Sequence, residues 1–401
     1  MEFEGTSIGQ KAGRANSTLS VAPMLAVSNT HFRNFIRCLT RHTQLWTEMV
    51  TDQAILHNPE GLQDNLSFSQ IERPLVCQLG GNDPKTLVQA AKYVEELGFD
   101  EINLNVGCPS RRVVNEGGFG VALMKTPELV RDIVYEIKRQ VQIPVTVKTR
   151  IGYDHSDSEE FLTEFVKTVA AGGCHHFVIH ARKAWLKGVD PKKNRSLPPL
   201  RYDRVYYLCK EFPSLDFTLN GGVKTLDAAK KLLAGEWAAG LEGVQNCYEL
   251  PYAKATGNVL KGVMIGRAAA NDPCVLAAAD SEFYGTDDPA SAESRRSVLE
   301  AYSNYLEERE LAWKASLHTT LKPVLGILSG MPGHRLFRYT LDRFAREGCR
   351  GCLPHEVLQR ALEVVDEAYP KVLDYPICSG KESETGPSSY SWDCQGTAQR
   401  G

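Results

Sequence analysis

The chain has 401 residues, 42% apolar and 24% charged, with 33 Gly and 20 Pro. That leaves room for one large α/β domain of roughly 250 residues plus an appendage, and excludes a collagen-like or globally disordered chain. The formal charge of −3, from 46 basic and 49 acidic side chains, excludes a uniformly basic nucleic-acid coat but not a local basic face. No run approaches the roughly 20 apolar residues that cross a bilayer. The N-terminus lacks the apolar core of a signal peptide; Lys11 and Arg14 faintly suggest an organelle transit peptide, against which Glu2 and Glu4 argue. The expectation is a soluble cytoplasmic monomer without membrane contact, an organelle matrix being the alternative compartment. The eleven cysteines are odd in number and scattered, which reads as reduced thiols and not a disulfide framework.

In chain order, short β-rich runs alternate with helical patterns, the mark of βα units around a parallel sheet. Eight strands are expected, at 19–22, 44–50, 74–79, 101–105, 144–148, 175–180, 216–220 and 262–266. Between them, segments such as 84–97 and 127–140 carry apolar residues at i, i+3, i+4 and i+7 behind a Pro in the first turn. Eight strands spell an α/β fold, a (β/α)8 TIM barrel; a doubly wound sheet competes, but no G-x-G-x-x-G follows the first strand. The expected layout is a flexible N-terminus (1–17), a barrel (18–285) with an insertion near 235–261, a small C-terminal all-helical domain (286–373) and a disordered tail (374–401).

Barrel chemistry sits at the C-terminal ends of the strands. Here those ends read Pro23-Met24, Thr47-Glu48-Met49, Gln78, Asn103 through Pro109, Lys148-Thr149-Arg150, His180-Ala181-Arg182, Asn220-Gly221-Gly222 and Gly266-Arg267. One polar strand end is ordinary; eight at one rim point to a site. Asn220 to Gly222 and Gly266 with Arg267 stand where many barrels cradle a phosphate. Lys148 and Gln78 could bond the edge of a flavin ring, the ammonium near the end where negative charge develops on reduction. His180 reads as a core histidine or part of that site. A metal role with His175 and His176 is weak, because those two alternate across a strand and no carboxylate pair completes a set. Cys108, between Gly107 and Pro109, could be an acid, a nucleophile or an inert small residue. Cys349 and Cys352 form a C-x-x-C too isolated to argue for a metal.

The strings Ala22-Pro23-Met24, Thr47-Glu48-Met49-Val50, Gln78-Leu79-Gly80-Gly81, INLNVGCPS (102–110), PVTVKTRIG (144–152), IHARKAWLKG (179–188) and LNGGVKT (219–225) closely resemble the tRNA-dihydrouridine synthases, bacterial-type A branch. The resemblance spans roughly 18–370. It implies FMN held by Pro23, Met24, Leu25, Gln78, Lys148, His180, Asn220, Gly221, Gly222, Gly266 and Arg267, with NADPH as reductant. It implies Cys108 as the acid that protonates C5 of a flipped tRNA D-loop uridine, at positions 20 and 20a in this branch, after hydride reaches C6. It further implies RNA contacts from Asn105, Lys192, Arg195, Lys322 and Arg335. Independently, the segment 181–204 holds eight basic and two acidic side chains beside the rim, with Trp185, which favours an RNA backbone over a merely solvated loop. A flavin barrel reducing a small enone and a non-catalytic RNA-binding protein are the competing readings. The chain departs from the family pattern at Leu25-Ala26-Val27-Ser28-Asn29, at the 235–261 insertion, and at Lys322, where an Arg is usual.

Overall fold

The computed structural model describes residues 18–235, 260–286, 292–310, 316–346, 353–377, 390–392 and 398–400. Residues 1–17, nearly all of the 235–261 insertion, Cys349, Cys352 and Arg350 lie outside them. Eight parallel strands follow in order: β1 (Thr18–Val21), β2 (Leu45–Thr51), β3 (Leu75–Gly80), β4 (Glu101–Val106), β5 (Val145–Arg150), β6 (His176–His180), β7 (Asp216–Asn220) and β8 (Gly262–Ile265). All eight lie where the sequence places them, to within one or two residues. Each pairs with its neighbour from β2 through β8, and β8 pairs with β1 in register Thr18↔Gly262 to Val21↔Ile265. The ring closes between β1 and β2 through the Ser20↔Gln44 bridge alone. There Val21 N–H donates to the Gln44 carbonyl and Gln44 N–H to the Leu19 carbonyl, both at 2.9 Å.

The helices around the ring form for local reasons. Helix Pro84–Glu96 starts at Asp83, whose side chain accepts from the Lys85 N–H, and has Pro in its first turn. Its buried residues Leu87, Ala90, Ala91 and Val94 repeat at helical spacing, and Gly98 follows its last turn at φ +88°. Helix Pro127–Lys138 repeats the pattern with Val130, Ile133, Val134 and Ile137. Each fully buried Leu, Ile or Val on these faces stabilises by about 1.5–3 kcal/mol. Inside the ring a separate small apolar cluster, Ala22, Trp46, Val76, Val178 and Met264, fills part of the lumen.

Beyond the barrel come helices Arg295–Glu310, Leu317–Leu321, His334–Arg346 and Pro354–Ala368. The expected succession of helices without β-runs is thus present. They seat on helix Thr30–Arg37, which follows β1: Phe35 meets Tyr302 edge-to-face at 5.1 Å between centroids, and His31 Nδ1 lies 3.0 Å from the Tyr305 hydroxyl. The tail, expected to lack regular structure, carries a short antiparallel pair, β9 (Tyr390–Trp392) with β10 (Ala398–Arg400).

Candidate active site

On β4, residues Glu101, Asn103 and Asn105 alternate onto one face, as strand geometry requires. Asn105 sits at the mouth end, 9% exposed. Its Oδ1 accepts from the backbone N–H groups of Gly107 (3.1 Å) and Cys108 (2.9 Å), and its Nδ2 donates to Gln78 Oε1 at 2.7 Å. The Asn105 amide therefore folds the GCP turn over itself and presents the half-buried Cys108. Burial raises the thiol above its ordinary value, although Arg150, Arg195 and Lys148 pull the other way. A thiol kept protonated at neutral pH is suited to giving up a proton, not to standing as a thiolate nucleophile.

Across the mouth, Lys148 pairs in register with Asn105 on one side and Val178 on the other, and its Nζ donates to Asn220 Oδ1 at 2.9 Å. Asn220 Nδ2 in turn donates to the Met264 carbonyl at 3.0 Å. Burial lowers Lys148 to about 7, with Arg150 adding repulsion. His180, opposite Asn220 in the β6–β7 register, is held well below its ordinary value by burial and by Arg150 and Lys148, so it is a neutral ring. Gly221 (φ +113°) and Gly222 (φ +74°) then turn the chain away in conformations L-residues rarely adopt. A Cβ on Gly221 would lie 2.7 Å from His180 Cδ2, and one on Gly222 2.5 Å from Leu200 Cδ1. Only glycine leaves this cradle open. Gly266 precedes the short helix Arg267–Asn271, and Arg267 is exposed, donating to the Arg195 carbonyl at 2.9 Å.

The turn after β1 explains its unusual sequence. Ser28 Oγ accepts from Met24 N–H (2.9 Å), and Asn29 caps the next helix by accepting from Phe32 N–H (3.0 Å). Ala26, at φ +59°, is gripped from both sides: its N–H donates to Glu48 Oε2 (2.7 Å) and its carbonyl accepts from Lys322 Nζ (2.5 Å). Leu25 consequently stands 76% exposed, while Met24 is buried. Lys322, read from the resemblance as an RNA contact, is half-buried and spends one proton tying the helices to this turn. It also lines a cavity of about 370 Å³, with Phe32, Asn271, His334 and Arg338.

The basic segment is less of a free charge patch than its sequence count suggests. Arg182 is buried and donates to the carbonyls of Ser196 and Pro198. Lys183 pairs with Asp157 (3.0 Å) and lies 4.5 Å above the Trp185 ring; Arg201 pairs with Asp203 and Arg204 with Glu159. Trp185 is thereby covered by Lys183 and meets His155 edge-on. Lys187, Lys192, Lys193 and Arg195 remain exposed. Arg335 and Arg338 are exposed on helix His334–Arg346 beside Tyr339, 63% exposed.

Two residues organise this region that sequence reading left without a role. Arg150, 3% exposed, donates from Nε to the Gly107 carbonyl (2.9 Å) and from Nη1 to the carbonyls of Lys183 (3.0 Å) and Asn194 (3.1 Å). Asn194, fully buried, accepts from Trp185 N–H (2.7 Å) and donates to the Trp185 carbonyl (2.9 Å). The signal for Arg150 was its place at a strand end; nothing in KKNRS distinguishes Asn194 from a solvated loop residue. Among the described residues no helix is long and apolar enough to cross a membrane.

Comparison with known proteins agrees with this geometry. The dihydrouridine synthase family model matches residues 20–363. The chain is 45% identical over 357 residues to the tRNA-dihydrouridine(20/20a) synthase of Vibrio vulnificus, covering 89% of this chain and 98% of that one. It is 44% identical over 347 residues to the protein of that name from Escherichia coli K12, covering 86% and 91%. These relatives are bacterial, which lends the organelle alternative no support. A solved histamine dehydrogenase from Rhizobium sp. 4-9 superposes over 66% of this chain and 45% of that one, at 13% identity and a TM-score of 0.44, too distant to carry an argument. The chain belongs to the dihydrouridine synthase family, whose curated members named here are oxidoreductases acting as tRNA-dihydrouridine synthases.

Proposed function

We propose that this protein is an FMN-dependent tRNA-dihydrouridine synthase that reduces D-loop uridines 20 and 20a with NADPH, as the names of its relatives suggest for the position. The observation that carries the reading is the linked rim: Gln78, Asn105 and the Cys108 backbone on one side, Lys148 and Asn220 on the other, joined through the Asn105–Lys148 register. The rim fits the cofactor. The open Gly221-Gly222 cradle, with exposed Arg267 beside it, suits a phosphate, and Gln78, Lys148 and neutral His180 offer donors and acceptors to a flat polar ring. Pro23, Met24, Leu25 and Gly266 complete the cradle in this reading. When bound, the flavin supplies hydride, taken from NADPH, to uridine C6.

The chain's residues do the rest. Cys108 donates its Sγ proton to C5 as charge builds on the C4 carbonyl, and the thiolate regains a proton from solvent. Lys148, lowered to about 7 by burial, would be drawn to its cationic form beside a reduced flavin and would offset the negative charge there. Asn105 orients the thiol. A base stacked in folded RNA reaches this mouth only when flipped. Lys192, Arg195 and Arg335, all exposed, with half-buried Lys322, hold the backbone outside it. In this reading 18–285 forms the catalytic unit and 286–373 the RNA-gripping one. Purified protein is expected to be yellow, and Cys108→Ala to keep its flavin while losing dihydrouridine formation, read by mass spectrometry of digested tRNA. A fully active Cys108→Ala protein overturns the acid.

A further inference from the structure

Asn105 is the mouth end of a longer chain of hydrogen bonds. Its Nδ2 donates to Gln78 Oε1 (2.7 Å), Gln78 Nε2 to Asn103 Oδ1 (2.8 Å), Asn103 Nδ2 to Thr146 Oγ1 (2.9 Å), and Thr146 Oγ1 to Glu101 Oε1 (2.6 Å). Every donor points the same way, from the mouth toward the closed end of the barrel. The two ends dictate that polarity independently. Backbone N–H groups of Gly107 and Cys108 can only donate, and a carboxylate can only accept once ionised, which burial sets at about pH 7 for Glu101. Reversing any one amide would set donor against donor and acceptor against acceptor in a lumen that excludes water, at a cost near that of two unmade buried bonds.

Glu101 is itself pinned. Its Oε2 accepts from Gln44 Nε2 (3.3 Å), and Gln44 cannot turn over without losing the Trp46 Nε1–H that its Oε1 accepts (3.3 Å). Both carboxylate oxygens face donors, so the ionised form is the one the surroundings fit. Burial pushes Glu101 up to about 7, against which the Thr146 and Gln44 bonds pull. Glu101 is 9% exposed, Gln78 1%, Asn103 0% and Thr146 3%. A barrel floor could have been filled with Val and Ile at lower desolvation cost. Five polar side chains in series that end on the thiol's own backbone have a use beyond packing.

We propose that Glu101 and Thr146, at the far end of the barrel from the chemistry, are positioning residues: they fix the direction of the amide chain and through it the orientation of Asn105 and Cys108. The proposal rests on Cys108 being the acid of the proposed reaction. It adds Glu101, Asn103 and Thr146, none of which touches the mouth, to the residues on which turnover depends. It also makes Gln78 a structural link as well as a flavin contact, since one Nε2 proton and its Oε1 are already committed.

Thr146→Val tests this, because it keeps shape while removing the hydroxyl that serves Asn103 and Glu101 together. In the flavin-loaded protein, hydrogen–deuterium exchange of the peptide holding Gly107 and Cys108 is expected to rise at least about tenfold, with other barrel peptides unchanged. Turnover on tRNA should fall about tenfold in kcat, and Thr146→Ser should restore both readouts. Native exchange at 107–108 in Thr146→Val, or raised exchange with unchanged kcat, overturns the proposal. Should Thr146→Val fail to fold, Glu101→Met, which removes the acceptor, is read the same way, and unaltered exchange there is equally decisive. An active Cys108→Ala protein would remove the acid role but leave the exchange result standing, so the two failures are distinguishable.

Discussion

Arg150→Lys tests the guanidinium's three-way geometry at the centre of the site. The guanidinium serves three carbonyls, those of Gly107, Lys183 and Asn194, from a position 3% exposed. Burial lowers it only to about 10, so it is a cation at neutral pH. A single ammonium on a shorter reach satisfies one carbonyl and leaves two buried acceptors without a donor. At about 1–3 kcal/mol for each unmade bond, the expected loss is about 2–6 kcal/mol. For a domain of this size each kcal/mol moves the melting temperature by roughly 2–4 °C, so a fall of at least roughly 4 °C is expected by calorimetry. Because one side chain ties the Cys108 turn to the basic segment, the tRNA KM should rise and kcat should fall together. An Arg150→Lys protein that melts within roughly 1 °C of native and keeps both constants would refute the assignment.

Two further outcomes follow from charge. Replacing Lys187, Lys192, Lys193 and Arg195 by Ala, the exposed four of the basic segment, should lower the slope of log affinity for tRNA against log salt by roughly 3, at about 0.7–0.9 per lost phosphate contact. Arg204→Ala, which breaks an internal pair with Glu159, should leave that slope unaltered; equal effects from both would mean that pairing is irrelevant to RNA contact. Lys148 gives a pH test in flavin-free protein. Its pKa is about 7 when folded against an ordinary 10.5, so between those values the unfolded chain binds the extra proton. Stability therefore rises with pH across that window and is flat below it. Lys148→Met should be the more stable protein at pH 7, with its advantage shrinking toward pH 10; a pH-independent difference would contradict the buried ammonium.

The strands were legible because each is a short β-rich run bounded by turn residues, and the parallel order followed from the helical spacing between them. The rim was legible because polar residues ended every strand but the first, which ends in Pro23-Met24. What escaped was pairing. The segment 181–204 reads as eight cations, yet Arg182, Lys183, Arg201 and Arg204 meet carbonyls and carboxylates of which two, Asp157 and Glu159, lie outside it. Composition counts charges but not where distant acids fold to. The Glu101, Asn103, Asn105 alternation was not singled out from the sequence. Its meaning depends on Gln78 and Thr146 from the strands on either side, which only the register Gln78↔Asn103↔Thr146 supplies. Lys322 looked like an RNA contact, and its engagement with Ala26, almost 300 positions earlier, leaves no local trace.

The single bridge that shuts the ring has a dynamic consequence. Seven interfaces are ladders, but β1 and β2 are held by two backbone hydrogen bonds around Gln44. A cylinder joined this way breathes along one line, and that line runs up to the Met24–Ala26 turn and Glu48. That seam has the fewest backbone hydrogen bonds of the eight around the wall. Gln44 stands at both the seam and the foot of the Glu101 chain, so a seam that parts also slackens the thread leading to Cys108. A ligand seated across that turn would close the molecule's own zip.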